Sequence, residues 1–505
     1  MFPTDVAPNR KVSAVATGAA WHGVGVKVRS AAGWIAASML LTQAVTLGRS
    51  VITARLLSPD DFGLFQMAAT AVMALSALTN ISLDHAITSR DLDAQGGRLR
   101  TQLDATWTNE VVRRLVLTLL LAAMVYPTAR FYGRAELILI LPVAALVPLI
   151  QGLQNVGLVI LRNQITFARL FWNELAAVVV SAVVAITIAF AVRNVWALVC
   201  GQVAGALAGV GASYLLHPYR PKVVFDREVF RQSLHFGKYA TVIGAAAYLT
   251  TMADNVLVGR LFGSGVLGVY AVAYSLASLP AGVIMSAIGR ATFPAYAELA
   301  SQGLRRVGPA FTRSLAASSA LLVLVTAPMF LLAPEVVSVL YGQKWMAAGA
   351  LLRVLSLVGL MRGMVVIISY LQLGLKKPRQ VAAGKMIEAS IFLALLYPLT
   401  SRYGVMGAAY AGVISYFVAL LNRLLSVKQL ISLVSGRALL IILASWAAGV
   451  CGVAAGWLVL NVVVGDWPRL IAGGTVSMAL SAVFLYWLTP GLRAEVRDIA
   501  QALRP

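Results

Sequence analysis

The chain is a succession of long apolar runs separated by short charged or turn-forming segments. Eight runs carry no charge for at least twenty residues: Phe62 to Leu83, Leu137 to Leu161, Asn194 to Tyr219, Leu261 to Gly289, Ser314 to Pro334, Tyr403 to Asn422, Ala438 to Gly465 and Leu470 to Leu492. About twenty apolar residues in a helix cross a hydrocarbon core roughly 30 Å thick. Six shorter or charge-interrupted segments, near 31–52, 111–129, 170–192, 236–258, 347–373 and 386–401, fill the intervals, so the pattern predicts about fourteen spanning helices. Strands of a membrane barrel would alternate apolar and polar residues, and these runs do not. The predicted class is an all-α integral membrane protein.

The pattern also repeats. ARLLSPDDFGLFQMA (Ala54 to Ala68) aligns without a gap with GRLFGSGVLGVYAVA (Gly259 to Ala273), which pairs Arg55 with Arg260, Gly63 with Gly268 and Phe65 with Tyr270. Each stretch joins the first and second predicted spans of a half. Ser58-Pro59-Asp60 and Gly263-Ser264-Gly265 are turn chemistry, and Asp60 or Asp61 suits the amino terminus of the helix that follows. A weaker echo pairs Tyr132-Gly133 with Tyr341-Gly342. The repeat predicts two six-helix lobes, 31–217 and 238–425, joined by a basic cytoplasmic linker at 218–237. Two extra helices follow in 426–489, with cytoplasmic tails at 1–30 and 490–505. Six being even, the lobes are related by an axis along the membrane normal, an arrangement of secondary transporters that hold substrate between their halves.

Composition agrees with this class and narrows it. The chain is 60% hydrophobic and 12% charged, with a mean hydropathy of +0.83, against roughly 25% charged residues in soluble domains. Lys and Arg outnumber Asp and Glu by 41 to 19. In a soluble domain that excess points to nucleic acid. Here, with the amino terminus inside, it falls mostly on cytoplasmic segments and obeys the positive-inside rule. The clusters Arg220, Lys222, Arg227, Arg231 and Lys238, then Arg305, Arg306 and Arg313, then Lys376, Lys377, Arg379 and Lys385 are topology signals that touch anionic membrane lipids, and no nucleic-acid partner is expected. An even number of spans puts both termini in the cytoplasm.

Cys200 and Cys451 are isolated within apolar runs, and the four histidines are scattered. Neither a disulfide framework nor a metal site is expected from them. HExxH, GxSxG and P-loop motifs are missing from the sequence, and the predicted external loops are too short for a catalytic domain. A transporter without a cofactor, rather than an enzyme, is the expectation.

Four stretches carry a resemblance: ARLLSPDDFGLFQMA, ADNVLVGRLFGSGVLGVYAVAYSLASLP, the segment ending FPAYAEL, and VWALVCGQVAGAL. Together, over about residues 31–425, the chain resembles the polysaccharide transporter branch of the multidrug/oligosaccharidyl-lipid/polysaccharide exporter superfamily. The resemblance implies a V-shaped pair of six-helix bundles that opens alternately to each side. It implies a Wzx-type flippase carrying an undecaprenyl-pyrophosphate-linked oligosaccharide to the outer leaflet of a bacterial inner membrane. Exopolysaccharide, capsule and lipopolysaccharide pathways all use such a step, and the polymerase and export proteins of the same pathway are implied partners. Coupling to H+ or Na+ is implied, with the ion left open.

Such cargo needs cations for its pyrophosphate. An arginine at the centre of a span costs about 2.5–3.5 kcal/mol on insertion scales, so each interior one is a functional candidate. Arg362, Arg353 and Arg49 are the substrate-binding candidates, Arg362 foremost because it lies mid-span. Arg353, nine residues earlier at about 100° per residue, points to the opposite face of an unbroken helix. Asp254 with Asn255 interrupts its span as a candidate coupling site, or a polar contact between lobes. Glu174 and Glu388 open their spans, where an acid suits a helix amino terminus. Gln43, Asn80, Gln151, Gln154, Asn155 and Tyr248 are candidates for a sugar path. Span one offers only Gln43 and Arg49, unlike the charge-rich first helix of the lipid II flippases, so no binding site is carried over from them. Two competing readings are an ion-coupled multidrug antiporter and a membrane polysaccharide polymerase or glycosyltransferase. The first prefers an acidic cavity, and the second a sizeable surface loop.

Overall fold

The computed structural model describes residues 17–78, 96–163, 167–430 and 435–488, and among them every regular element is helical. The first half of the chain holds α1 (Thr17–Leu56), α2 (Pro59–Leu78), α3 (Gly96–Ala123), α4 (Val125–Tyr132), α5 (Leu137–Gly152), α6 (Gly157–Asn163), α7 (Phe167–Val192) and α8 (Trp196–Leu216). The second holds α9 (Arg227–Gln302), α10 (Leu304–Leu331), α11 (Ala333–Tyr341), α12 (Ala347–Gly374), α13 (Pro378–Tyr403), α14 (Val405–Leu430), α15 (Ser435–Leu460) and α16 (Asp466–Leu488).

Among the described residues nine helices are long and apolar enough to cross a membrane, and the α3–α4 pair, bent by 48°, makes ten. The difference from the fourteen expected has local causes. Helices α1 and α2 border on residues outside the description, and α5 is sixteen residues long. In α9, one 39-residue apolar stretch, Ala247–Met285, contains a break at Gly263. Gly263 has φ +81°, a conformation that side-chain-bearing residues avoid, so the chain turns there within a single residue. The expected tail 490–505 and Asn80 lie outside the described residues.

The turn before α2 is built as its sequence suggests. The Ser58 amide donates to Asp61 Oδ2 at 3.0 Å, and the Asp61 amide donates to Ser58 Oγ at 3.2 Å. This reciprocal cap satisfies donors that a helix start leaves free. The repeat then appears as packing. A Cβ on Gly63 would lie 1.7 Å from the Ser264 carbonyl oxygen, and one on Gly268 would lie 1.9 Å from that of Pro59. Gly63 and Gly268 are repeat mates, as are Pro59 and Ser264, so the two halves meet through the same contact used twice. The weaker echo is also local structure, because α4 ends at Tyr132 before Gly133 (φ +68°) and α11 at Tyr341 before Gly342 (φ +92°).

Small residues bring other helices together. Gly201 and Gly205 of α8 face Ala185 and Ser181 of α7, while Gly452 and Gly456 of α15 face Ser481 and Gly473 of α16. Close backbone approach of this kind replaces the hydrophobic driving force that lipid removes. The largest apolar core joins both halves, with Met67, Tyr132 and Leu141 packed among Val258, Tyr270, Trp345 and Leu352. Between α8 and α9 the chain has no regular structure over 217–226 and lies against α3. There Asp104 accepts from the Tyr219 hydroxyl (2.6 Å) and the Lys222 amide (2.9 Å), and Thr108 Oγ1 accepts from the Val224 amide (3.0 Å). Helix α9 starts at Arg227, so the second part of the predicted linker is helical.

Candidate functional site

Among the described residues, a polar string joins α9 to α12. It starts at Asp254 of α9, 4% exposed, whose Oδ2 accepts from the Tyr270 hydroxyl at 2.7 Å. Tyr270 stacks on Tyr274 one helical turn later, with ring centroids 6.2 Å apart. Arg362 of α12 donates to the Tyr274 hydroxyl at 3.4 Å. A second group lies on α13 and α14, where Lys385 reaches both Glu388 and the Tyr416 ring. Glu388 is 2% exposed, and Lys385 Nζ lies 2.5 Å from its Oε1. The Lys385 ammonium also sits 5.9 Å from the centre of the Tyr416 ring.

Seven residues after Tyr416, on the same face of α14, Arg423 is 2% exposed. Its guanidinium donates to Gln372 Oε1 (2.7 Å) and to the carbonyls of Gln380 (3.1 Å) and Val381 (2.9 Å). Gly384 makes room for it, since a Cβ there would lie 2.7 Å from its Cζ. Arg423 thus fastens α14 to the first turn of α13, the helix that carries Lys385 and Glu388.

The predicted residues separate in space. Arg362 is in the string. Helix α12 runs unbroken past both arginines, and Arg353 lies on another face, exposed, donating to the Phe330 and Leu331 carbonyls at the end of α10. Arg49 of α1 donates to Ser181 Oγ of α7 at 2.9 Å, and its buried Nε has no partner among the described residues. Asp254 makes no ion pair among the described residues, and Tyr270 and Tyr274 stand between it and Arg362. Asn255 is buried beside it, its Nδ2 directed at Met252 Sδ. Tyr248 donates to the Thr70 carbonyl, and Asn155 holds the α5–α6 turn against the Tyr219 carbonyl. Among the described residues no three His, Cys, Asp or Glu side chains converge on a metal position.

Sequence reasoning missed Glu388, Tyr416 and Arg423. The apolar pattern places Glu388 at a helix start, but α13 begins ten residues earlier at Pro378, a residue suited to the first helical turn. That proline is the signal in the sequence. Arg423 ends a charge-free run and so is read as a boundary. Its spacing from Tyr416 places both on one face of the helix.

A second cluster closes the opposite end of the bundle, where the α1–α2 turn, the α4–α5 turn, Gly263 and the α11–α12 turn meet. Arg134 bridges to both Asp60 oxygens, at 2.8 Å to Oδ1 and 2.6 Å to Oδ2, and together they hold Ser264 of the other half. Arg55 donates to the Leu340 carbonyl at 3.0 Å, Lys344 to the Arg55 and Leu57 carbonyls, and the buried Trp345 indole to the Ala54 carbonyl at 2.9 Å. The last carbonyls of α1, which a helix end leaves free, are therefore satisfied across the two halves. On one side, a groove of about 340 Å³ opens between α1 and α9, lined by Gln43, Leu47, Pro280, Val283 and Ile284.

A family model described as polysaccharide biosynthesis protein matches residues 52–350. The chain belongs to that family. Within the exporter superfamily this is the polysaccharide transporter branch, as the four sequence stretches indicate. The succinoglycan biosynthesis transport protein ExoT of Rhizobium meliloti (strain 1021) is 26% identical, over 64% of this chain and 65% of that protein. The chain thus spans just under two thirds of that relative. The lipopolysaccharide biosynthesis protein WzxC of Escherichia coli (strain K12) is 24% identical, over 66% of this chain and 68% of that protein. Among solved structures, an inward closed conformation of the lipid II flippase MurJ superposes with TM-score 0.71 at 14% identity, covering 92% of this chain and 98% of that one. An inward-facing multidrug transporter of the MATE family gives TM-score 0.60 at 17% identity, covering 78% and 98%. At such identities these two likenesses concern the fold.

Proposed function

We propose that this protein flips a polyprenyl-pyrophosphate-linked oligosaccharide across a bacterial inner membrane by alternating access, for exopolysaccharide, capsule or lipopolysaccharide biosynthesis. The observation that carries the reading is Arg362, a cation midway along the apolar stretch of α12, beside the Tyr274 hydroxyl of α9. An anionic headgroup is the cargo such a place suits, because a buried charge is costly until it is paired.

In this reading the first six spans and the next six are two lobes, and α15 and α16 are the extra pair. Both termini are cytoplasmic, and the end closed by Asp60, Arg134 and Lys344 faces outward. The cargo enters from the cytoplasmic side. Its pyrophosphate moves to Arg362, with Arg49 as a second cation, and its lipid tail stays in the bilayer through the groove between α1 and α9. Opening of the outer end then releases it. Arg353, turned to the end of α10, serves the outer end of that path. Asp254 and Asn255 are the coupling site for H+ or Na+, because a buried carboxyl without a cation partner gains most from binding one.

The multidrug alternative wants acids facing its cargo, whereas Glu388 and Asp254 lie inside the second half behind tyrosines. The experiment is leaflet-to-leaflet transfer of a fluorescent polyprenyl-pyrophosphate oligosaccharide in liposomes holding the purified protein. Transfer by wild type and at least a tenfold loss in Arg362→Ala is the expected result. Absence of transfer by folded wild type, with and without an ion gradient, overturns the reading.

A further inference from the structure

Helix α15 belongs to the pair outside the repeat, and where it packs beside α10 and α12 it leaves a groove of about 440 Å³. Ala327 and Phe330 of α10, Leu357 and Met361 of α12, and Gly449 and Val450 of α15 line it, so each helix gives it one stripe. The volume is that of a small-molecule site, roughly 300–1,000 Å³, and the walls hold no charged group. The groove opens toward lipid. All three helices are long and apolar enough to cross a membrane, and Val450 is 68% exposed in line with the exposed Leu443 and Trp457. The bilayer core holds no water to fill an apolar groove, so what fills it there is a lipid chain.

One end of the groove carries a charge. Arg353 stands one turn before Leu357 on the same face of α12, and its guanidinium carbon lies 6.0 Å from the centre of the Phe330 ring. It is exposed, and it donates from Nε to the Phe330 carbonyl (3.2 Å) and from Nη2 to the Leu331 carbonyl (3.5 Å). Those two bonds satisfy carbonyls that the end of α10 leaves free, and a packing role needs nothing more. They use only two of the five N–H donors, however, and among the described residues no carboxylate pairs with this guanidinium. A charge with spare donors therefore lies open at the end of an apolar groove.

We propose that the groove binds one anionic phospholipid of the surrounding membrane, with an acyl chain between α10, α12 and α15 and the phosphate on Arg353. The groove alone accepts any lipid chain, and the cation beside it selects the anionic lipids, as basic pockets between spanning helices do. The export reading puts Arg353 at the outer end of the cargo's path, and the phospholipid is then what balances its charge between passages of cargo. The site itself stands without that reading. It also gives the extra helices a task, since α15 supplies one wall.

The test is binding of dioleoyl phosphatidylglycerol and of dioleoyl phosphatidylcholine to the purified, delipidated full chain, followed by native mass spectrometry. The two lipids share their chains and differ in charge, and wild type is expected to bind the first about tenfold more tightly. Arg353→Gln is expected to erase that preference and Arg353→Lys to keep most of it, whereas loss of a packing contact at α10 alone lowers the thermal midpoint and leaves the preference. Val450→Trp fills the mouth of the groove and is expected to weaken binding of both lipids about tenfold. Where it does not fold, Val450→Phe is expected to weaken both by a smaller factor. Equal affinity for the two lipids in wild type, a preference that survives in Arg353→Gln, or unchanged binding in the folded Val450 variants overturns the proposal. So does tighter binding of undecaprenyl phosphate than of phosphatidylglycerol, since that makes the groove a place for a polyprenyl carrier rather than for a membrane phospholipid. No flipping enters these measurements, so failure of the export reading and failure of this site are told apart.

Discussion

Gly63 and Gly268 have no room for a side chain, since a Cβ on either would fall inside the backbone of the opposite half. The atoms met are carbonyl oxygens rather than flexible side-chain ends, so relief requires a helix to move. Gly63→Ala and Gly268→Ala are each expected to cost about 1–3 kcal/mol, the range for overpacking. The effect is to be read as a lower thermal midpoint of the purified protein, and an unchanged midpoint for both contradicts the close approach. These glycines were legible as a repeat but not as a contact, because an alignment within one chain pairs equivalent positions without saying that they touch. Arg362 was legible because a charge stands out in an apolar span. Glu388 and Arg423 were not, because a charge at the edge of a run looks the same whether it faces water or, as here, another helix.

At the scale of elements, the closed end depends on four turns meeting. The Ser58–Asp61 cap was legible from turn chemistry, whereas nothing local brings Arg134 to Asp60, so that bridge was not. Hydrogen bonding from Arg134 holds the Asp60 carboxyl below its ordinary range, against a smaller opposing effect of burial. A depressed carboxyl contributes to closure above its ordinary pKa of about 3.9, and the contribution is lost as pH falls through the lowered value. Closure is therefore expected to be level from about pH 8 to about pH 5 and to weaken only below about pH 4. Thiol labelling of a cysteine placed at Ser50, which faces Tyr341 just behind the bridge, reports it. Asp60→Asn is expected to raise labelling already at neutral pH. A rise between pH 7 and pH 5 in the otherwise unaltered protein contradicts this role for Asp60.

For the molecule as a whole, the all-helical membrane class was legible because length and apolarity suffice to mark a span in lipid. Less legible were the places where a span is not one straight helix. The bend between α3 and α4 falls just before Pro127, whose missing amide leaves the Ala123 carbonyl without its helical bond, and the break at Gly263, at the closed end, is one residue with positive φ. That this end opens during transport is the central claim of the export reading. Asp60 and Ser264 touch through their side chains across the halves, and a cysteine pair at these positions, with Cys200 and Cys451 replaced by serine, can lock that end. The measurement is flipping of the fluorescent lipid-linked oligosaccharide in liposomes by this protein, oxidised and then reduced. The account predicts that transfer stops on oxidation and returns on reduction. Transfer at the same rate with the disulfide formed would contradict it.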